Sequence, residues 1–129
     1  MDFVKLSLDV NYGNYDYYEA SNEEMGILGL FLTDDVGCTR SGSPTLAEWA
    51  FQNRWGTGFS GNATRVEKEN NFVFLSGVFP EEENPTKLKM TRQQFVDIID
   101  EWFDTVCKYR HKEVTIKHES DRFFIETKD

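Results

Sequence analysis

Thr91-Arg-Gln-Gln-Phe-Val-Asp-Ile-Ile-Asp-Glu-Trp-Phe-Asp-Thr-Val-Cys-Lys-Tyr109 decides the fold, because it carries the clearest periodicity in the chain. Thr91 followed by Gln94 has the form of a capping box, and the apolar residues after it recur at helical rather than strand spacing. The spacing predicts a helix from about Arg92. At roughly 100° per residue, Phe95, Ile98, Ile99, Trp102, Phe103, Val106, Cys107 and Tyr109 share one broad arc, wide enough for the main core-facing helix of a domain. Asp97, Asp100, Glu101 and Asp104 share the opposite arc and form an exposed acidic patch, with Lys108 as its only partial counterweight.

Strands flank this helix on both sides. Lys87-Leu-Lys-Met90 alternates and runs directly into the Thr91 cap. Beyond the helix, Glu113 to Glu119 alternates around Val114 and Ile116, Ser120-Asp121 is turn chemistry, and Arg122-Phe-Phe-Ile-Glu126 reads as the returning strand of a hairpin.

Towards the N-terminus, Val4, Leu6, Leu8 and Val10 alternate with polar residues as a half-buried strand. Tyr12, Tyr15, Tyr17 and Tyr18 then form a tyrosine-rich loop. Tyrosines there serve either as a recognition surface or, more commonly, fold back over the edge of the core. Ser21 to Gly37 reads as a helix, with Ser21 and Glu24 as a capping box and Gly37 as C-cap. Gly26 and Gly29 each cost about 1 kcal/mol of helix propensity, so Ile27 to Leu32 as a buried strand stays open. Ser43-Pro44 starts a further helix, with Leu46, Trp49, Ala50 and Phe51 on its apolar side, ending near Arg54.

Ala63 to Glu67 and Asn71 to Val78 read as strands around a Glu69-Asn70-Asn71 turn. The second has Val73 and Leu75 on one face and Phe72 and Phe74 on the other, the mark of a strand central in its sheet. Pro80 to Pro85 is an acidic loop carrying Glu81, Glu82 and Glu83. These elements predict one α+β domain over residues 1–129. A mostly antiparallel sheet packs against the long helix of the C-terminal half and one or two shorter helices.

The chain has 129 residues, 39% of them hydrophobic and 15% aromatic, enough to build a core without staples. No basic-then-apolar leader begins it, and nothing approaches about 18 consecutive apolar residues, so a cytoplasmic protein is expected, without membrane contact. Cys38 and Cys107, far apart and outside any CxxC, are expected to be plain thiols in such a compartment. The 23 acidic residues outweigh the 14 basic ones for a net charge of −9, which argues against nucleic acid and favours a basic protein as partner.

Catalytic chemistry is not indicated. His111 and His118 are the only histidines, and His111 past the helix end has a structural reason in the helix dipole. Neither a zinc site nor a Cys–His pair has its ligands, and no carboxylate pair stands out as acid and base. No catalytic residue, cofactor or metal is therefore expected. Gly56-Thr-Gly-Phe-Ser-Gly61 spells G-x-G-x-x-G, but a helix precedes it and a strand follows, the reverse of the dinucleotide-binding context, so it reads as a connector.

Gly61-Asn-Ala-Thr-Arg-Val-Glu-Lys-Glu, the strand Phe72-Val-Phe-Leu, the acidic loop, Lys89-Met-Thr-Arg-Gln-Gln-Phe before a Trp-bearing helix, and Lys112-Glu-Val-Thr-Ile-Lys-His-Glu-Ser-Asp span residues 60–129. In this pattern of elements the chain resembles small bacterial immunity proteins, the antidotes encoded beside polymorphic or contact-dependent toxins. The resemblance implies a non-enzymatic inhibitor whose acidic face covers the active site of a basic toxin, often a nuclease. Candidate contact residues are Asp97, Asp100, Glu101 and Asp104 on the helix, Glu81, Glu82 and Glu83 in the loop, and Asp34 and Asp35 after the first helix. The bland alternative for each cluster is a solvated face. A second hypothesis, from another class, is a small-ligand-binding or enzymatic domain using the Gly56–Gly61 loop with Trp49, Trp55 and Phe59.

Overall fold

Thr91 makes both bonds of its capping box: its hydroxyl accepts from the Gln94 amide at 3.0 Å, and the Gln94 side-chain oxygen accepts from the Thr91 amide at 2.8 Å. In the computed structural model, which describes residues 1–38, 42–51, 57–61, 63–77 and 86–129, the long helix that follows is α3 (Arg92–Glu101). It runs on without a break into wider, π-helical turns over Trp102–Cys107. Phe95, Ile98, Ile99, Trp102, Phe103 and Val106 are buried as the periodicity requires. Tyr109 is not: it lies past the helix end and is 62% exposed, because the helical register that would turn it inward stops at Cys107.

Residues 23–36 are helical, which decides between the helix and the strand for this stretch. Asn22, rather than Ser21, is the N-cap of α1 (Glu23–Leu30), its side chain accepting from the Met25 amide. Ser21 is drawn instead to the neighbouring strand, where its hydroxyl accepts from the Phe3 amide at 2.8 Å. This helix too continues as π-helical turns, Phe31–Val36, and ends at Gly37, whose φ of 59° suits glycine. Both wide segments contain a threonine whose hydroxyl donates to the carbonyl four residues back, Thr33 to Gly29 and Thr105 to Glu101. That competing bond is a known bender of helices. Met25 to Gly29 are all buried, so α1 is apolar on every side and has no stripe for periodicity to find.

Among the described residues, eight strands form two antiparallel sheets. The first has the order β2-β1-β7-β8, with β1 Asp2–Leu8, β2 Tyr15–Ala20, β7 Glu113–Glu119 and β8 Arg122–Lys128. The second has the order β3-β4-β5-β6, with β3 Gly58–Ser60, β4 Thr64–Glu69, β5 Phe72–Gly77 and β6 Leu88–Thr91. β5 is central, as its two apolar faces imply. Asn70, Ser120 and Asp121 take the positive φ that their tight turns need.

Two segments depart from the sequence-based expectation. Tyr15 to Ala20 is an edge strand instead of a loop, and Gly58 to Ser60 pairs with β4 instead of serving as a plain connector. Pairing with a neighbour decides both: the tyrosines of Tyr15–Ala20 favour a strand locally, whereas Gly58 and Ser60 do not. Val10 lies beyond β1 in a turn and is 84% exposed. The acidic loop Glu81–Glu83, Trp55, Gly56 and the expected helix end at Arg54 lie outside the described residues.

Both α1 and α3 touch both sheets, and α2 (Gly42–Phe51) packs on α3. Their buried side chains merge into one core from Val4 to Phe123. Gly29 makes this possible: a Cβ there would lie 2.8 Å from a Val4 methyl, so only glycine lets α1 approach β1 this closely.

The two cysteines are not the unrelated plain thiols expected from the sequence. Cys38 and Cys107, 69 positions apart, form a disulfide with Cα atoms 5.3 Å apart. The folded chain brings the π-helical ends of the two long helices together, a proximity that spacing in sequence cannot express. Among the described residues, no helix is long and apolar enough to cross a membrane.

Candidate functional site

The disulfide marks one end of the first sheet, where three connections meet. Between β1 and β2 the chain turns through Asp9 to Asn14. The Asp9 amide donates to Asn14 O at 2.8 Å, the Gly13 amide to Asp9 O at 2.7 Å, and Asp9 Oδ1 accepts from the Asn11 amide at 2.9 Å. This turn is tied to the segment after α3 by Arg110, which donates to Gly13 O, and by Tyr15. The Tyr15 hydroxyl donates to His111 O at 2.8 Å and accepts from the His111 amide at 2.9 Å. The Tyr15 ring meets Trp102 edge-on at 6.1 Å, and Trp102 Nε1 donates to Gly37 O at 2.8 Å. A crevice of about 160 Å³ remains among Gly13, Tyr15, Thr33, Cys38, Trp102 and Arg110.

With Tyr15 and Trp102 buried as anchors, other large side chains are left to solvent. Val10 and Tyr12 are each 84% exposed. Between Lys5–Glu19 and Leu6–Tyr17 the β1–β2 register slips by one, so Tyr18 is an extra residue on the edge strand. Such a bulge re-aims neighbouring side chains. Tyr17 and Tyr18 both remain substantially exposed, the Tyr17 ring resting against α1 at Gly26. The tyrosines thus divide: Tyr15 folds into the core, while Tyr12, Tyr17, Tyr18 and Tyr109 do not.

Acidic groups lie beside Tyr17 and Tyr18 on β2, whereas Tyr109 has the Lys108 ammonium 5.9 Å from its ring centroid. Asp34 lies exposed on the π-helical end of the first helix. Its carboxyl is pushed above the ordinary value of 3.8, first by partial burial and then by the negative charges of Asp35 and Asp16. Asp16, on β2, is exposed. It was not among the sequence candidates, and only the packing of the helix end beside β2 reveals it. Asp35 turns inward. Its carboxylate accepts from the amides of Ala63 and Thr64 at 3.0 and 2.9 Å and from the Thr64 hydroxyl, tying the first helix to the second sheet.

The helix patch is similarly divided. Asp97, Asp100 and Asp104 are exposed, Asp97 accepting from Gln93 Nε2 at 2.7 Å. Glu101 reaches the edge strand β8 and accepts from the Ile125 amide at 3.2 Å, closing part of an edge that would otherwise offer a free donor.

At the glycine-rich segment Trp49 and Phe59 pack on each other. Trp49 is buried, meets Phe59 edge-on at 5.0 Å, and lies beneath Lys68, whose ammonium sits 4.5 Å from the ring centroid and donates to Trp49 O. Burial, and then Arg92, lower the Lys68 pKa from 10.5. An indole already covered on these sides offers no stacking platform. His111 Nδ1 is 2.6 Å from Asp129 Oδ1, and His118 stacks on Phe123 at 4.0 Å. Among the described residues no three His, Cys, Asp or Glu side chains gather as metal ligands. An open groove of about 480 Å³ at the start of α3 is lined by Lys89, Gln93, Asp97 and His118 together with Phe72.

Comparison of the chain with models of protein families, with curated proteins and with solved structures finds no match.

Proposed function

We propose that this chain is a non-enzymatic inhibitor that binds a basic protein, and that this partner is the toxin encoded beside it, a nuclease whose active site the acidic surface covers. The observation that carries the proposal is the pairing of exposed tyrosines with carboxylates around the β1–β2 hairpin. Tyr17 and Tyr18 present rigid area on the strand that carries Asp16, with Asp34 close to that carboxylate, while exposed Tyr12 lies in the preceding turn and Tyr109 lies under the Lys108 ammonium. Tyrosine supplies contact area at low entropic cost, and acidic residues at its border speed the approach of a basic partner and select against acidic ones. Asp97, Asp100 and Asp104 extend the negative field along α3. The inhibitor would act in the cytoplasm, where the substrate of a nuclease lies.

The test is co-expression with the product of the adjacent gene. The expected result is a stoichiometric complex that restores growth and weakens as salt rises. Restored growth without a complex, or a complex indifferent to salt, would sink the proposal.

A further inference from the structure

Taking the β1–β2 hairpin end as the face turned to the partner, which rests on the function proposed above, we infer that the Cys38–Cys107 disulfide is a reversible redox lock on that end of the molecule, rather than a permanent staple. The two cysteines close the gap between the π-helical ends of the two long helices. Cys38 is the exposed partner and lines the crevice beside Tyr15 and Trp102, so an external thiolate approaches the disulfide from its side, while half-buried Cys107 serves as the leaving group.

Gly37 O shows how the reduced state is held. It accepts from Trp102 Nε1 at 2.8 Å and lies 3.5 Å from Cys107 Sγ. A thiol formed at Cys107 therefore has an acceptor already within reach, and the Trp102 bond does not depend on the disulfide. Oxidised and reduced forms each satisfy this corner of the core. What changes is the tether on Cys38 and on the helix end that carries Asp34.

The exchange balances with a dithiol as reductant. Its first thiolate attacks Cys38 Sγ, forming a mixed disulfide and releasing Cys107 as a thiolate that takes up a proton. Its second thiolate then displaces Cys38, which is protonated in turn. Two electrons pass to the protein and the dithiol becomes a disulfide. In a reducing cytoplasm the lock is open, and on exposure to an oxidising environment it closes.

The experiment equilibrates the purified chain in two glutathione buffers, one at the poise of the cytosol and one at that of an oxidising secretory compartment. Alkylation then counts thiols, and hydrogen exchange maps opening. The expected result is mostly dithiol in the first buffer and disulfide in the second. Amides around Val36–Cys38 and Val106–Cys107 should exchange about tenfold faster when reduced, with the centres of both sheets unchanged. A disulfide that persists in both buffers, thiols in both, global unfolding on reduction, or unchanged local exchange would each overturn the lock. Two variants test the waiting acceptor: Cys107→Ser, which keeps a donor for Gly37 O, should match the reduced protein in exchange, and Cys107→Ala should open the corner further. Equal behaviour of the two removes Gly37 O from the account.

Discussion

Asp35 and Gly61 show how one contact can decide the use of a residue. A Cβ on Gly61 would lie 2.4 Å from Asp35 Cγ, so glycine leaves the space in which the carboxylate grips Ala63 and Thr64. Gly61→Ala is expected to destabilise the protein by about 1–3 kcal/mol through forced displacement of this carboxylate. Asp35→Ala should cost at least as much. The double variant should cost less than the sum, since both changes break the same grip. Strict additivity in denaturant melts would show that the two sites are independent.

Asp34 tells the opposite story, a carboxylate kept exposed where its charge is disfavoured. Its folded pKa is raised above 3.8, so between that value and the folded pKa the native state binds more protons than the unfolded one, and stability falls as pH rises. The penalty is fully present at neutral pH and absent below the unfolded pKa. Asp34→Asn is therefore expected to raise Tm at pH 7 and to lose that advantage on acidification through this window. A Tm difference that stays constant from pH 7 to about pH 3 would contradict the assigned cause.

At the scale of elements, the two long helices share a plan: a side-chain cap at the start, regular turns, and a wide end bent by a threonine. Their starts are local devices. Thr91→Ala removes the hydroxyl that accepts from Gln94, and is expected to cost about 1–2 kcal/mol while leaving the strands unchanged. A loss within error in equilibrium denaturation would mean that the β6 connection alone positions α3.

The starts and stops of elements were largely legible. Capping at Thr91 and the turns at Asn70 and Ser120-Asp121 rest on interactions within a few residues, and the central place of β5 shows in its two apolar faces. The type of α1 was less legible, because a helix buried on all sides shows no period. β2 reads as a loop because Asn, Gly and Asp are interleaved with the tyrosines from Tyr12 to Tyr18, although tyrosine itself favours strands and pairing with β1 settles the outcome. Of the acidic candidates, exposure kept Asp34, Asp97, Asp100 and Asp104 on the surface. Asp35 and Glu101 were taken up by backbone donors that come from 28 and 24 residues away.

At the scale of the molecule, the proposed inhibitor separates two kinetic roles. Reversing Asp16 and Asp34 to lysine should slow association with the adjacent gene product at low salt, with the effect shrinking as salt rises. Tyr12→Ala with Tyr18→Ala should instead leave association nearly unchanged and speed dissociation at least tenfold, as loss of central aromatic anchors does. If reversal of Asp97, Asp100 and Asp104 slows binding while the hairpin changes do not, α3 is the docking face and the hairpin is not.

By itself the sequence determined the α+β class, the long capped helix, the closing hairpin and the negative charge. These follow from composition and from forces acting over one or two turns of chain. Tertiary structure alone decided the split into two sheets, the edge strand β2, the disulfide between positions 69 apart, and which acidic and tyrosine side chains face water. Each of these depends on where distant segments come to rest when one core is packed at solid density, and packing between segments leaves no periodic trace within either of them.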